Sequence, residues 1–251
     1  MLKILVCGIS GKMGGNILRL AAESGDVQVI CGVDAHPKDC GVPVYTSFEG
    51  IAERPDAIID FSSPAALEGE LRYAAERGIP AVIASTGHTP EQLEKIKDAA
   101  KKIAVFKTAN FSLGVNLLTG LVKKAAEVLG ENFDIEIIER HHNKKADAPS
   151  GTALMLADAA NEALGGDRAY VEGRSGIVGR RGNEIGIHAV RGGTIVGEHE
   201  VMFAGEDEIV TLSHSARSKT VFAAGALRAA QWIKGKPAGL YDMNDLLNGI
   251  I

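Results

Sequence analysis

Along the first half of the chain, short apolar runs alternate with segments whose apolar residues recur at helical spacing. The runs LKILVCG, VQVICGVD, AIIDFSS, PAVIASTG and IAVFKTAN are rich in Val, Ile and Ala and lack strict polar alternation. That is the pattern of strands buried on both faces of a parallel sheet. Between them PAALEGELRYAAERG and TPEQLEKIKDAAKK read as helices, the succession that right-handed crossovers require. In the second of these, Thr89 is placed to cap, Pro90 takes a first helical position, and Glu91 and Glu94 suit the positive end of the dipole.

The pattern changes after the amphipathic helix LGVNLLTGLVKKAAEVLG. EIGIHAVR, TIVGEHEVMF and DEIVTLSHS are longer and interleave polar residues, which predicts antiparallel strands. Gly192 and Gly193 are expected to form a two-residue hairpin turn, and Gly205 to Asp207 a second turn. FDIEIIERHH reads as a strand with Ile135 and Ile137 on one face. SGTALMLADAANEALGG reads as a helix capped by Asp147 or Ser150, with Ala153, Leu154, Ala157 and Ala160 at helical spacing and Gly165 as its stop. No repeat or low-complexity linker intervenes, so the boundary between the two patterns falls near Ser112.

Composition narrows the function classes. With 251 residues, 45% hydrophobic, 24% charged and 30 glycines, the chain is an ordinary globular protein with many tight turns. A net charge of -5 gives no general attraction to nucleic acid or to an anionic membrane surface, so any basic site must be local. Cys7, Cys31 and Cys40 are odd in number and lack the spacing of zinc ligands, which points to a reducing cytoplasm and to no structural metal. Neither a signal peptide nor an apolar stretch of about 18 residues is present, so export and membrane insertion are not expected.

Two regions carry candidate chemistry. Gly8, Gly11 and Gly14 follow the first strand at the mouth of a helix, spaced G-x-x-G-x-x-G rather than G-x-G-x-x-G. The segment is either a pyrophosphate cradle or a tight strand-to-helix turn. Asp34, 20 residues beyond Gly14 at the end of the second strand, favours the cradle, because an acid there accepts hydrogen bonds from an adenosine ribose. It also repels a 2'-phosphate, softened by His36 and Lys38, which favours NADH slightly over NADPH. The loops ASTGHT and TANFS lie at the same sheet edge and suit a nicotinamide and its ribose. The second region crowds Glu139, Arg140, His141, His142, Lys144, Lys145 and Asp147 before a helix start at Gly151 and Thr152. The segment is either a solvated charged face or a carboxylate receptor, in which donor side chains and a helix N-terminus meet a small dianion and a tuned His or Lys delivers a proton. Consecutive histidines rarely aim at one ion, so no metal is expected. The parts fit a reductase that follows hydride transfer with protonation.

ERHHNKKADAPSGTA, preceded by CGISGKMG and followed by GEHEVMF and VFAAGALRAAQWI, closely resembles the dihydrodipicolinate reductases over nearly the whole chain. The resemblance implies an α/β fold: a Rossmann-like parallel-sheet nucleotide domain over residues 1–112 and 221–251, with an inserted α+β domain of mixed sheet over 113–220. The inserted domain would bind substrate and build a homotetramer through its sheet. His141 and Lys145 are the implied proton donors; His142, Lys145, Gly151 and Thr152 would hold the carboxylates of a small cyclic substrate. The cofactor, NADH or NADPH, would rest on Gly8, Ile9, Ser10, Gly11, Lys12, Met13 and Asp34, on Ala84, Ser85 and Thr86, and on Thr108, Ala109, Asn110 and Phe111. Ala35 and Lys219 stand where the family often carries arginines toward the adenosine. Two other readings compete. A two-domain amino-acid or semialdehyde dehydrogenase is weakened in its phosphorylating form by the lack of a cysteine near the nicotinamide, and a non-catalytic NADH sensor has no use for the donor cluster. The loop GRSGIVGRRGNEIG, with Arg174, Arg180 and Arg181, is expected to act as a mobile lid or to be a solvated basic loop.

Overall fold

The computed structural model describes residues 1–249. Two compact units divide the chain: Met1–Ser112 with the segment from Thr220 onward, and Leu113–Lys219. The first unit begins β1 (Leu2–Cys7), α1 (Lys12–Ser24), β2 (Val27–Val33), β3 (Val44–Tyr45), β4 (Ala57–Asp60), α2 (Leu67–Arg77), β5 (Ala81–Ile83), α3 (Pro90–Ala100) and β6 (Ala104–Lys107). The second unit holds α4 (Leu113–Leu129), β7 (Asp134–His141), α5 (Gly151–Ala163), β8 (Ala169–Glu172), β9 (Glu184–Arg191), β10 (Gly197–Ala204) and β11 (Ile209–Ala216). The chain then returns to the first unit with α6 (Thr220–Ile233), β12 (Gly239–Tyr241) and α7 (Met243–Asn248).

The first sheet has seven strands in the order β12-β6-β5-β4-β1-β2-β3, all paired in parallel. The five apolar runs form β1, β2, β4, β5 and β6. The remaining two, β3 and β12, are only two and three residues long and have too few positions to show a periodicity. Strand β1 is interior, between β4 and β2, and Ile4, Leu5, Val6 and Cys7 are wholly buried, as a strand covered on both faces must be. Thr89 caps α3 through a capping box with Gln92, and Pro90 opens the helix. Helix α6 is lined with small residues, Ala223, Ala226, Ala229 and Ala230 being buried, so its backbone comes close to what it packs on. The closest approach is at Gly225, where an added Cβ would lie 1.7 Å from the Phe111 carbonyl oxygen. Trp232 meets Phe106 edge-on at 6.1 Å and Tyr241 at 5.5 Å between ring centroids, fixing α6 against β6 and β12.

The second sheet is mixed, ordered β11-β10-β7-β9-β8. Strands β10 and β11 form the antiparallel hairpin expected around Gly205 to Asp207, and β10 also runs antiparallel to β7. The expectation for Gly192 and Gly193 fails. Strand β9 pairs in parallel with β7 rather than with β10, so these glycines begin a crossing over the end of β7 instead of a hairpin turn. Their backbone bonds record the crossing: Gly192 N–H donates to the His141 carbonyl and Asn143 N–H to the Gly193 carbonyl. The physical reason is that β7, buried at every second residue, is the central strand and needs a neighbour on each edge. One face of the sheet buries Ile135, Ile137, Ile185, Ile187, Val201 and Phe203 against Leu118 and Val122 of α4 and Leu156 and Ala157 of α5. Ser150, not Asp147, caps α5, accepting a hydrogen bond from Ala153 N–H. Among the described residues, no helix is long and apolar enough to cross a membrane.

Candidate functional site

In the first unit, the loop after β1 is held by backbone geometry. Gly8 adopts φ +75, open to glycine at little cost, and a Cβ there would lie 2.8 Å from the Phe61 carbonyl oxygen. At Gly14 a Cβ would meet the Ile9 carbonyl oxygen at 2.3 Å, so this glycine lets α1 seat against the loop. Gly11 is the N-cap of α1 and supplies no side-chain acceptor, which leaves the positive end of the helix turned toward whatever occupies the loop. These features fit a pyrophosphate.

Asp34 closes the same corner. Its carboxylate accepts Ser10 N–H at 3.0 Å and His36 N–H at 2.9 Å, and Lys38 N–H donates to Ser10 Oγ at 3.1 Å. The glycine loop and the segment after β2 are thus stitched together. A cavity of about 340 Å³ opens beside Asp34, lined by Val33, Thr46, Phe48, Ser62 and Ala65 among others.

The loops after β5 and β6 lie at the carboxyl ends of their strands, but their residues differ in what they can offer. Ser85 is buried and its hydroxyl is bonded to Asp60, while Thr86 is exposed. Asn110 Oδ1 accepts Ser112 N–H at 2.8 Å, and Thr108 Oγ1 donates to the Asn110 carbonyl at 3.3 Å. Phe111 is buried between Phe61 and Phe106, and Ile9 is likewise a core residue, so each can meet a ligand only through its backbone. Asp60, which the sequence reading passed over, takes Ser62 N–H at 2.7 Å as well as Ser85 and so fixes both loops. The signal was available as the lone acid ending the wholly buried run AIID.

In the second unit, strand alternation divides the crowded charges. Glu139 and His141 face inward, whereas Arg140 faces outward, 3.6 Å from Glu200 and 4.0 Å from Glu198. Glu139 is wholly buried. Burial alone would raise its pKa, but hydrogen bonds from Arg191, His141 and the Ser150 amide outweigh that effect and hold the carboxyl below its usual range. The contact from His141 Nδ1 is 2.6 Å, and those from Arg191 are 2.6 and 2.7 Å. Arg191 also binds the Asp147 carbonyl at 2.6 Å, which steadies the loop that carries Lys145. Lys145 Nζ donates to both Asp147 oxygens at 2.8 Å, and this bond lowers the Asp147 pKa. His142 Nδ1 is buried and, among the described residues, has no hydrogen-bond partner, which leaves an orphan donor or acceptor in the segment that leads to α5. Gly151 and Thr152 form the first turn of that helix.

Arg191 and His199 were missed. Arg191 lies 52 residues from Glu139, and only the parallel pairing of β7 with β9 brings the two together. His199 sits on the buried face of β10, directly across from Glu139 and His214, with its ring edge-on to that of His141 at 5.2 Å. The signal for it was a histidine at an inward position of an alternating strand. Arg174 and Arg181, which bracket the glycine-rich loop, are both paired with Glu136 and Glu184, whereas Ile177 at the tip is fully exposed.

Burial pushes the His199 pKa down to about 4, so the fold holds this imidazole neutral. An unfolded histidine titrates near 6.5, and the folded state therefore binds fewer protons between these values. The contribution is complete above the unfolded pKa and shrinks as pH falls toward the folded one, a loss of about 3 kcal/mol. Urea unfolding at pH 7.5 and pH 4.5 is expected to show a smaller acid loss in His199→Gln than in wild type. Equal losses in the two proteins would refute the assignment.

Residues 2–111 match the family model "Dihydrodipicolinate reductase, N-terminus", and residues 114–247 match "Dihydrodipicolinate reductase, C-terminus". The chain is 51% identical over 248 residues to 4-hydroxy-tetrahydrodipicolinate reductase of Caldanaerobacter subterraneus subsp. tengcongensis, covering 98% of each chain. Its identity to the protein of the same name from Clostridium tetani is 43% over 249 residues, covering 99% of this chain and 98% of that one. Among solved structures it is similar to a dipicolinate-bound dihydrodipicolinate reductase from Paenisporosarcina sp. TG-14, with a TM-score of 0.81 and 25% identity, covering 97% of this chain and 99% of that one.

Proposed function

Since the chain belongs to the dihydrodipicolinate reductase family and reduces the dihydrodipicolinate intermediate of lysine biosynthesis with a pyridine nucleotide, we propose that the first unit holds the nucleotide and the second the substrate and its proton donors. The observation that carries this reading is the placement of His141, His142 and Lys145 at the end of β7 and in the loop that leads to helix α5, with Glu139 bonded both to His141 and to the Ser150 amide at the cap of that helix. A doubly ionised ring requires cationic and N–H donors, and His142, Lys145, Gly151 and Thr152 provide them. The reduced nicotinamide supplies hydride when bound. The electron density left on the ring is then quenched at carbon by a proton from His141 or Lys145.

On the nucleotide side, Gly8 through Met13 meet the pyrophosphate, Asp34 the adenosine ribose, and the segments Ala84–Thr86 and Thr108–Phe111 the nicotinamide half. NADH is preferred, because the Asp34 carboxylate repels a 2'-phosphate, while the exposed His36 and Lys38 keep NADPH usable. The enzyme works in the cytoplasm as a homotetramer. Three unpaired cysteines support the first statement. The second is supported by the outer face of the second sheet, where Ile138, Met202, Thr211 and Ser213 lie on the side opposite α4 and α5.

The assay follows NADH and NADPH absorbance with dihydrodipicolinate precursor generated enzymatically in the cuvette. Oxidation of both, faster with NADH, is expected. Cofactor binding without oxidation would favour the sensor reading, and a higher kcat/KM with NADPH would reverse the role given to Asp34.

A further inference from the structure

We propose that Glu139 is a positioning residue for proton delivery: it holds a hydrogen on Nδ1 of His141, so that Nε2 is the nitrogen that hands a proton to the substrate ring. The inference rests on the reading of His141 as a donor and extends it to the atom involved.

Four N–H groups converge on this one carboxylate. Oε2 receives His141 Nδ1 at 2.6 Å and Arg191 Nη1 at 2.6 Å; Oε1 receives Arg191 Nη2 at 2.7 Å and Ser150 N–H at 2.9 Å. An ionised carboxylate only accepts, and a guanidinium and a backbone amide only donate. The nitrogen of His141 that faces it must therefore carry hydrogen. A neutral ring is then the Nδ1–H tautomer, and the protonated ring bears its exchangeable proton on Nε2.

The surroundings of Nε2 agree. Gly197 on β10 offers no side chain there, and an added Cβ would lie 3.1 Å from Nε2. The titratable and charged neighbours are accounted for on each packed element. Arg191 on β9 is committed to Glu139, His199 on β10 is neutral, and Lys145 in the β7–α5 loop is held by Asp147. Ser150, the cap of α5, gives its amide to Glu139 and places its Oγ 3.0 Å from His199 Nε2. In the step itself the Nε2–H bond breaks as a C–H bond forms on the ring that has taken up hydride. The electron pair stays on Nε2, and the neutral imidazole remains hydrogen-bonded to Glu139 before solvent restores its proton.

The test is a double-mutant cycle on the full-length enzyme, using Glu139→Gln and His141→Gln, together with nitrogen-15 NMR of the histidine side chains. Glutamine can present either an oxygen or an amide group, so it no longer dictates the tautomer. Glu139→Gln is expected to lower kcat by about 10²-fold, the lower end of general-acid effects, with little change in KM for NADH. In the His141→Gln background it should cost almost nothing further, and Glu139→Asp should recover part of kcat. The wild-type His141 signals should be those of a ring protonated at Nδ1.

Losses that multiply in the double variant would mean that Glu139 acts independently of His141, and would overturn the proposal alone. Near-normal kcat in His141→Gln would instead remove the premise and leave Lys145 as the donor. Should Glu139→Gln fail to fold, the wild-type spectrum decides, because a neutral Nε2–H ring at His141 contradicts the assignment.

Discussion

Lys145→Ala is expected to lower kcat by about 10²- to 10⁴-fold, the range of a lost general acid, and to raise KM for the dicarboxylate. The two effects have separate origins. In the proposed reading the ammonium is both a charge for a substrate carboxylate and a candidate proton source, so its removal would weaken ground-state binding and proton delivery together. The structure adds a constraint that sequence could not supply: Nζ bridges both oxygens of Asp147, whose carboxylate is 60% exposed. Lys145 must loosen from Asp147 to meet the substrate, or hold both anions at once. Steady-state kinetics at saturating NADH separates kcat from KM. A variant that keeps near-normal kcat with a raised KM would assign Lys145 to binding and leave proton delivery to His141.

Gly225→Ala is expected to destabilise the first unit by about 3 kcal/mol or more, against the usual sign for this change. In an ordinary helix interior, glycine to alanine is worth up to about 1 kcal/mol of stabilisation. Here the new methyl group would sit 1.7 Å from the Phe111 carbonyl oxygen, a backbone atom that cannot rotate aside. Relief requires α6 to lift from the segment after β6, which would also disturb the packing of Trp232 on Phe106 and Tyr241. Trp232 is the sole tryptophan, so its fluorescence in a urea titration reports this unit directly. A midpoint equal to or above that of wild type would show that the close approach is not what requires glycine.

The contrast between these residues explains what could be read from the chain alone. The five apolar strands of the first sheet, the Thr89 cap and the β10–β11 turn depend on chemistry confined to a few neighbouring residues, whereas EIGIHAVR, read as antiparallel, pairs in parallel with both of its neighbours. The choice of Ser150 over Asp147 as the cap of α5 could not be made from spacing, because both lie within reach of the helix start. Gly192–Gly193 misled for a related reason. Two glycines specify a bend, but whether the flanking strands pair depends on which edges of β7 are already occupied. The site followed the same rule. His141, His142 and Lys145 lie within one motif, whereas Asp60, Arg191 and His199 acquire their roles through pairing between distant strands. Phe111 and Ser85 were identified by position in a loop, and burial limits what their side chains can offer.

The first sheet is assembled from segments on both sides of the inserted unit, because β12 pairs beside β6 and α6 packs against the strands that precede that unit. During synthesis, those early strands emerge from the ribosome with one flank uncovered and must wait for more than a hundred intervening residues before their covering helix arrives. The inserted unit carries its own apolar centre and has no such delay. Translation therefore hands the cell a finished inner module while the outer one still exposes greasy surface, which makes the unfinished outer module the stage at which chaperones have most to shield.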